Sequence, residues 1–460
     1  MMNACDVIVV GGGLAGLSAG ASAAEHGAAV VVFEQGEEQL YPCNSRYAGG
    51  MMHLAFVDMG LAPEELAARL LAKRPEDIDE ALLATVAHRS RETLDWLVDK
   101  ADARFIKAGA EPWQRWCLAP IRPRRSGLAW TGRGPDRVLR GLERHLQSRN
   151  GRLLRGRRVC GLRPKVGGGF EVDVECGGET MLWHGRSVIL ADGGFQNSSG
   201  LVGATLAPEP ERTLRRNAGT ANGLSMQLAE TLGLRTSALH RFYGHIVSAG
   251  ALGDARLWPW PTLDELAMAG MLLDETGRDV GEGLASGVAM ANRVAAGAGR
   301  NRFFVVIDDR IWRDIGPHTR VVPCNPFLAT LNAPAHRSRD LLVAAAEAGI
   351  DPAGLSQSIM ARNQKSPAER GTRRPLYEPP FHILPAIAGI TYTMSGVEIG
   401  TDCTVFDNAH HPVPGLYAAG ATAGGLEGGA ETFYLGGLAK AAILGRIAGS
   451  AACRFINRVL

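Results

Sequence analysis

The chain lacks paired cysteines, a marked charge excess and any long apolar run, and each absence excludes a class of protein. Its eight cysteines are scattered singly, with no C-x-x-C pair, which argues against a disulfide scaffold and a zinc site. Lysine and arginine total 49 against 47 acidic residues, and this net charge of +2 gives no electrostatic reason to bind nucleic acid. No uninterrupted apolar stretch is long enough to span a bilayer. We therefore predict no metal site, no nucleic-acid partner and no membrane-spanning segment.

We expect no leader, and the sequence has no internal repeat of fixed period. Only residues 1–5 precede the first predicted strand, so we expect no secretory or transit peptide. Singly placed cysteines fit a reducing compartment, and we predict a cytoplasmic protein. With 460 residues, 46% hydrophobic and 21% charged, the chain is expected to form a globular protein of two or three domains.

What the chain has in abundance is glycine, 58 residues concentrated in turns. Two apolar strands are predicted at residues 7–10 and 30–33, and a G-x-G-x-x-G turn lies between them. The turn glycines are Gly11, Gly13 and Gly16. The first permits a tight turn, the second lets the backbone approach a pyrophosphate, and the third packs the following helix against the sheet.

An acid closes this unit at the spacing expected of a ribose ligand. Glu34 follows Gly11 by 23 residues, at the end of the second strand. A G-x-G-x-x-G motif alone is weak evidence, but one set between two apolar strands and followed by such an acid is strong. The pattern predicts a site for an adenine dinucleotide.

Strand and glycine signals stop near residue 240 and return near residue 392. Helical periodicity dominates residues 63–103 and 134–150, and a strand with a small-residue turn follows at 187–195. We predict an α/β protein with a discontinuous Rossmann-like nucleotide domain at 1–240 and 392–460. Residues 241–391 are predicted to form an inserted α+β capping domain.

Six motifs along the chain resemble one flavoprotein family. They are NSRYAGGM, VILADGGF, GTANGLSM, GITYTMSGVEIGTD, GLYAAGATAGGLEGG and YLGGLAKAAILGRIAG, in this order after the first glycine turn. Nearly the whole chain thus resembles the fumarate reductases, succinate dehydrogenases, tricarballylate dehydrogenase and 3-ketosteroid Δ1-dehydrogenases. The resemblance implies FAD, and it implies that the capping domain closes over the reactive face of the flavin.

The resemblance also implies which residues contact FAD. They are Gly11, Gly13, Leu14, Ala15, Gly16, Glu34, Gln35, Asn44, Ser45, Gly49, Gly50, Met51, Ala191, Asp192, Gly193, Asn222, Gly420, Ala421, Thr422, Gly436, Gly437 and Leu438. A covalent flavin in this family uses a histidine near position 43, where this chain has Cys43, so we expect noncovalent FAD. Asp192 stands where a threonine is common, and Ala421 replaces an acid.

Three departures from the fumarate reductase pattern bear on the reaction. Gly287 falls where those enzymes carry the arginine that protonates substrate, Tyr434 replaces a carboxylate-clamping arginine, and Tyr392 replaces a histidine. These losses argue against a fumarate reductase. Tyr434 instead resembles the tyrosine before the glycine pair in ketosteroid and tricarballylate dehydrogenases.

The candidate catalytic residues follow from the chemistry of desaturation. Removing hydrogens from adjacent carbons needs a base for the proton α to a carbonyl, a hydride acceptor, and donors aimed at the developing enolate oxygen. Tyrosine is a poor base unless its pKa is lowered, whereas histidine titrates near neutral pH. The HRFYGHIVS segment lies where the family places a substrate-contacting histidine, and the resemblance together with this chemistry predicts catalytic roles for Tyr434, Tyr392, Tyr243 and His245. A position as ordinary cap residues fits Tyr243 and His245 equally.

Substrate contacts are predicted at Arg46, His382 and Gly437. Arg46 could hold a carboxylate through its guanidinium, but a phosphate contact or a surface position fits it equally. Core packing would explain His382 equally well. Trp258 and Trp260 are expected to form apolar wall or core.

The leading hypothesis is an FAD-dependent dehydrogenase that introduces a C=C bond next to a carbonyl or carboxylate of a small organic molecule. The alternatives are an enoate reductase with a non-arginine proton donor and a flavin-binding electron-transfer protein. The electron acceptor is not indicated. A second G-x-G-x-x-G and a C-x-x-x-x-C pair are both missing from the sequence, which argues against direct use of NAD.

Overall fold

The computed structural model describes residues 3–123, 127–238, 240–318, 324, 328, 331–430 and 432–458. Its strands, in chain order, are β1 (Ala4–Val10), β2 (Val30–Phe33), β3 (Phe105–Ile106), β4 (Cys117–Leu118), β5 (Arg152–Leu154), β6 (Arg158–Pro164), β7 (Phe170–Cys176), β8 (Glu179–Leu190), β9 (Leu214–Arg215), β10 (Phe242–Ser248), β11 (Met271–Asp274), β12 (Phe303–Ile307), β13 (His336–Ser338), β14 (Phe381–Thr393), β15 (Thr404–Phe406) and β16 (Pro412–Ala418).

The α-helices alternate with these strands. They are α1 (Leu14–Glu25), α2 (Asn44–Tyr47), α3 (Pro63–Leu71), α4 (Glu80–His88), α5 (Ser90–Ala101), α6 (Gly134–Ser148), α7 (Ser199–Thr205), α8 (Leu224–Leu232), α9 (Asp264–Ala269), α10 (Gly287–Gly297), α11 (Asp309–Asp314), α12 (Leu341–Ala348), α13 (Pro352–Gln364), α14 (Pro367–Arg370) and α15 (Gly437–Arg458).

The larger sheet is built around β1. Strands run in the order β15-β16-β8-β1-β2-β5, and β1 pairs in parallel with both β2 and β8. Its residues 7–10 are fully buried, as are residues 30–33 of β2, because helices cover both faces of a parallel sheet. The two predicted strands are therefore present, in the predicted α/β architecture.

Helices α1 and α15 cross the sheet in close contact, so the N- and C-terminal parts of the chain form one unit. A Cβ added at Gly445 would lie 2.4 Å from the Ala15 carbonyl oxygen, and one at Gly449 would lie 2.3 Å from that of Ala19. Small residues at these crossings let the two backbones approach, which explains the glycine- and alanine-rich C-terminal sequence.

A second sheet and a second core lie in the middle of the chain. The antiparallel order is β10-β14-β12-β11, and β9 and β13 also pair with β14. This core also contains residues from before position 241, namely Phe195, Val202 and Leu206. The capping layer therefore takes in segments of the chain that the sequence assigned to the nucleotide domain. Among the described helices, none combines the length and the apolar character needed to cross a bilayer.

Candidate active site

A cavity of about 1070 Å³ is lined by residues of both sheets. One wall is the glycine turn between β1 and α1, and the opposite wall is formed by β10, the loop after it and the end of β14. A cavity of this volume is large enough for an extended cofactor together with a small molecule.

The glycine wall is built from backbone that admits no side chain. Gly11 has φ +102°, and a Cβ there would lie 2.5 Å from the Ala191 carbonyl oxygen. A Cβ at Gly16 would lie 1.9 Å from the Gly11 oxygen. Gly13 differs, because the nearest atom to its added Cβ is the Ser45 hydroxyl at 3.5 Å. Gly13 therefore leaves open space in front of the N-terminus of α1, where an anion is favoured.

Acidic and polar side chains fix the shape of this wall. The buried Glu34 carboxylate accepts hydrogen bonds from the Gly12 and Gly36 amides, each at 2.8 Å, and burial raises its pKa. Ser45 Oγ accepts from the Leu14 amide at 3.0 Å. Asn44 links the Ala218 amide to the Thr391 carbonyl and so ties the two cores together.

Most residues that the resemblance assigned to the cofactor line this cavity; Gly16, Thr422 and Gly436 do not. Gly16 packs under the turn, and a Cβ at Gly436 would lie 2.2 Å from the His53 carbonyl oxygen. Thr422 supports the cavity residue Asp192 by donating to its carboxylate at 3.2 Å. With its open helix N-terminus, its ribose-side acid and its volume, the cavity fits an adenine dinucleotide.

Three tyrosines meet on the opposite wall. Tyr243 on β10 and Tyr392 on β14 are cross-strand neighbours, with ring centroids 5.6 Å apart. Tyr434, which comes just before α15, stacks on Tyr243 at 4.1 Å with an angle of 18° between the rings. The sequence-predicted catalytic tyrosines are thus brought together from three distant segments of the chain.

His245 and Asp264 extend this cluster into a series of contacting polar groups, Tyr243, His245 and Asp264, which we call the relay. Alternation along β10 puts Tyr243 and His245 on the same face, and His245 Nε2 lies 3.1 Å from the Tyr243 hydroxyl. His245 Nδ1 contacts the Asp264 carboxylate, whose other oxygen accepts from the Ile246 amide at 2.8 Å. The Tyr434 ring stacks on Tyr243 and so joins this cluster to the turn before α15.

The relay gives Tyr243 a partner that the other tyrosines lack among the described residues. Burial raises the pKa of all three phenols, most strongly those of Tyr392 and Tyr434, so none ionises readily alone. The Tyr392 hydroxyl donates to Glu427 at 2.8 Å, which leaves that hydrogen already engaged. Of the three tyrosines in the described part of the chain, Tyr243 is the one whose hydroxyl is hydrogen bonded to an imidazole nitrogen.

Glu427 organises the floor beneath the tyrosines. Its carboxylate accepts from the Leu435 amide at 2.9 Å and from Gly436 at 3.2 Å, and it forms a buried ion pair with Lys440. These bonds fix the turn that presents Tyr434. The Gly437 amide, at the start of α15, donates to the Tyr434 hydroxyl at 3.3 Å.

Asp264 was not singled out from the sequence. Its carboxyl group fills the space beside Gly287, the position at which the resemblance expects an arginine. A Cβ at Gly287 would lie 2.4 Å from Asp264 Cγ. The only sequence signal for Asp264 was an acid at the start of a short helix pattern, which is common at helix N-termini. The structure therefore links two sequence features, the missing arginine and an unremarkable aspartate.

Two predicted substrate contacts lie away from the cavity, and both predictions are corrected. Arg46 is buried, pairs with Asp136 at 3.0 Å and donates to the Tyr41 carbonyl, so its guanidinium serves packing. His382 stacks on Trp312 at 4.8 Å and contacts Asp309 in the second core. Gly437, the third of these residues, does line the cavity.

Other cavity residues were missed or passed over. Arg122 and Arg216 line the cap side, together with Trp258 and Trp260 of the predicted apolar wall. His53 also lines the cavity, and burial lowers its pKa to about 4. Arg216 belongs to no recognisable motif, which is why sequence patterns did not reveal it. Arg122 begins a short arginine-rich stretch, a pattern typical of a solvated face or an anion contact.

Comparison with known proteins identifies relatives across the whole chain. The family model described as FAD binding domain matches residues 6–433. A cytochrome-type fumarate reductase from Shewanella frigidimarina is 26% identical over 98% of this chain and 78% of its own length. A vinyl phenol reductase from Lactiplantibacillus plantarum is 22% identical over 92% of this chain and 90% of its own.

Solved structures show the same fold. A 3-ketosteroid Δ1-dehydrogenase from Sterolibacterium denitrificans aligns with a TM-score of 0.76 at 17% identity, covering 98% of this chain and 100% of that one. The open conformation of a flavocytochrome c3 fumarate reductase aligns with a TM-score of 0.68 at 18% identity, covering 99% of this chain and 79% of that one.

Proposed function

This chain belongs to the FAD-binding domain family and is an FAD-dependent oxidoreductase of CH–CH groups, and we propose that it works as a dehydrogenase. The product is a C=C bond next to a carbonyl or carboxylate of a small organic substrate. The observation that carries this proposal is the relay from Tyr243 through His245 to Asp264 inside the cavity.

The glycine wall holds the cofactor. Gly11, Gly13 and the N-terminus of α1 receive the diphosphate, and Glu34 lies at the ribose end. FAD held there would supply the acceptor for the electrons and hydrogen that leave a CH–CH group, or their donor in the opposite direction. We infer noncovalent binding, because Cys43 takes the place of the family's histidine and burial raises the pKa of its thiol to about 11.

Tyr243 takes the proton from the substrate carbon as its own proton passes to His245 Nε2. Asp264 holds the opposite ring nitrogen and stabilises the imidazolium that forms. A buried tyrosine with a raised pKa is a weak base alone, so the histidine is what makes the transfer feasible. The Tyr434 hydroxyl, which accepts from the Gly437 amide, donates a hydrogen bond to the substrate oxygen.

Tyr392 has a positioning role in this scheme. Its hydroxyl is committed to Glu427, the residue that also holds the turn before α15. It packs against both other tyrosines and so fixes their rings.

Enoate reduction is the second candidate, and the names of the relatives favour it. The same relay serves either direction, because Tyr243 can return a proton that His245 supplies. The Gly287 and Tyr434 departures weigh against a fumarate reductase but leave other enoates open. We further propose a cytoplasmic location, which the singly placed cysteines support, and a small-molecule substrate.

Anaerobic mixing of the FAD-loaded protein with saturated cyclic ketones and carboxylic acids tests the direction. We expect one class to bleach the visible flavin band. If no saturated compound does so while a reduced dye drives reduction of the matching enoates, the enzyme is a reductase. If Tyr434→Phe and His245→Ala leave every activity unchanged, the chain is an electron-transfer protein.

A further inference from the structure

Two arginines face the cavity from the cap side without an acidic partner among the described residues. Arg122 is buried, with 7% of its surface exposed, and it donates to the Tyr47 carbonyl at 2.6 Å. Its Nε is buried and has no hydrogen-bond partner in the described part of the chain. Arg216 donates to the Pro259 carbonyl and to Thr391 Oγ1, each at 3.0 Å.

Both guanidinium groups lie against one short segment. Arg122 stacks over the ring of Trp260 with its Cζ 3.9 Å from the centroid, and Arg216 binds the carbonyl of the preceding Pro259. The two charges are close enough that Arg216, together with burial, lowers the pKa of Arg122 to about 9. Two like charges held together in a partly desolvated site are costly unless an anion joins them.

The acids that line the cavity already have other bonds. The Glu34 carboxylate accepts a hydrogen bond from the Gly12 amide, and the Asp192 carboxylate accepts one from the Ser225 amide. The Asp264 carboxylate is hydrogen bonded to His245. Asp264 acts on Arg216 at longer range and only partly offsets its charge. Glu265 also lines the cavity and has a contact of its own. The described residues therefore include no acid bonded to either guanidinium group, which favours an anionic ligand at this place.

We propose that Arg122 and Arg216 form a carboxylate subsite for the substrate, with an aromatic wall of Tyr47, Trp258 and Trp260 beside it. This inference rests on the proposed function and specifies its substrate class. It selects a carboxylic acid with a flat apolar remainder over a neutral ketone.

Geometry connects the subsite to the relay. Arg216 binds Thr391, the neighbour of Tyr392, and its charge lowers the pKa of Tyr243 against the effect of burial. A carboxylate on Arg216 therefore lies near the phenol that takes the proton. Removing a proton α to a carboxylate builds a second negative charge on that group, and two guanidinium groups stabilise it.

The same chemistry has a second source, which is the diphosphate of FAD. The glycine turn and the N-terminus of α1 already offer that group a site on the opposite wall. We therefore assign the arginines to the substrate, and the experiment separates the two sources by measuring cofactor content and acid binding independently.

The test is a binding titration of the FAD-loaded protein with 3-phenylpropanoate and with 3-phenylpropanamide, followed by the visible flavin spectrum. The wild type should bind the acid at least about tenfold more tightly than the amide, because a bidentate charged hydrogen bond is lost in the amide. Arg122→Gln and Arg216→Gln should each weaken acid binding by about 10- to 100-fold and leave amide affinity and FAD content unchanged.

Arg215→Gln is the matched control. It removes the same charge one residue away, on an exposed side chain that binds Ser199 and lies outside the cavity, and acid affinity should not change. Arg216→Lys keeps the positive charge but loses the bidentate geometry of the guanidinium group. It should retain FAD and bind the acid with an affinity between those of the wild type and Arg216→Gln.

Equal affinity of the wild type for acid and amide would overturn the subsite. So would loss of FAD from the Gln and Lys variants with acid affinity unchanged in the loaded fraction, because the arginines would then serve the diphosphate. Failure of the proposed function has a different signature: acids bind through the arginines, but no saturated compound bleaches the flavin.

Discussion

The two walls of the cavity are built by different means. The glycine wall consists of backbone amides and a helix N-terminus, and its packing is so close that an added Cβ at Gly16 would lie 1.9 Å from the Gly11 oxygen. The cap-side wall consists of side chains that arrive from β10, β14, α9 and the turn before α15.

This difference separates the residues that bind the cofactor from those that carry out the reaction. A backbone wall suits any dinucleotide, because every dinucleotide presents the same diphosphate. A side-chain wall can be changed residue by residue, and the departures Gly287, Tyr392 and Tyr434 all fall on it. Substitutions in the glycine wall should therefore impair folding or FAD binding. Substitutions in the cap-side wall should lower the turnover rate and leave FAD bound.

The largest effect is expected at Gly16. Gly16→Ala places a Cβ 1.9 Å from a backbone oxygen that cannot move, and we expect a loss of more than about 5 kcal/mol, enough to prevent folding. Gly13→Ala is the matched variant, because its Cβ meets nothing closer than 3.5 Å. It should fold with little loss of stability but bind FAD weakly. Expression yield, thermal melting and FAD content distinguish the two; equal behaviour would mean that the turn is not the diphosphate site.

The buried ion pair under the tyrosines is expected to matter next. Lys440→Met leaves the Glu427 carboxylate buried and unpaired, and it should lower the free energy of unfolding by about 3 to 5 kcal/mol in urea titrations. Adding Glu427→Gln to that variant should restore most of the loss, because the amide oxygen still accepts from Tyr392. No recovery in the double variant would show that the charge itself is required.

His53 should make stability depend on pH. The unfolded histidine binds a proton below about pH 6.5, but the folded one does so only near pH 4, so folding stability falls as the pH drops between these values. We expect a loss of up to about 3 kcal/mol across that window. His53→Gln, which can still accept from the Phe56 amide, should remove that component at saturating FAD. An unchanged pH dependence in this variant would contradict the burial argument.

The smallest effect is expected from substitutions that weaken the support of His245 and leave Tyr243 and His245 themselves unchanged. Gly287→Ala pushes on Asp264 Cγ, and Asp264→Asn removes its charge; each should lower turnover by about 10- to 100-fold, or about 1.4 to 2.7 kcal/mol, with FAD content unchanged. Gly200→Ala, where an added Cβ meets nothing within 4 Å, is the control. Normal turnover in Gly287→Ala would show that Asp264 does not support His245.

What could be predicted from the sequence follows the same division. The strands around Gly11 and the cofactor residues near it were accessible because each is set by local spacing. Tyr243 and His245 were found through the resemblance, because they lie where the family places a substrate-contacting histidine. Asp264 and Arg216 were missed because only the tertiary fold brings them to the cavity. Arg46 and His382 were misplaced because an arginine or histidine near a motif can equally be buried in a core.

The most direct test is the rate at which a substrate bleaches the bound flavin in Tyr243→Phe, measured anaerobically beside the wild type. Tyr377→Phe is the control, since that exposed phenol lies outside the cavity. The relay predicts that Tyr243→Phe keeps its FAD but bleaches at least about a hundredfold more slowly, while Tyr377→Phe matches the wild type. Bleaching of Tyr243→Phe at the wild-type rate would contradict the assignment of proton transfer to this wall.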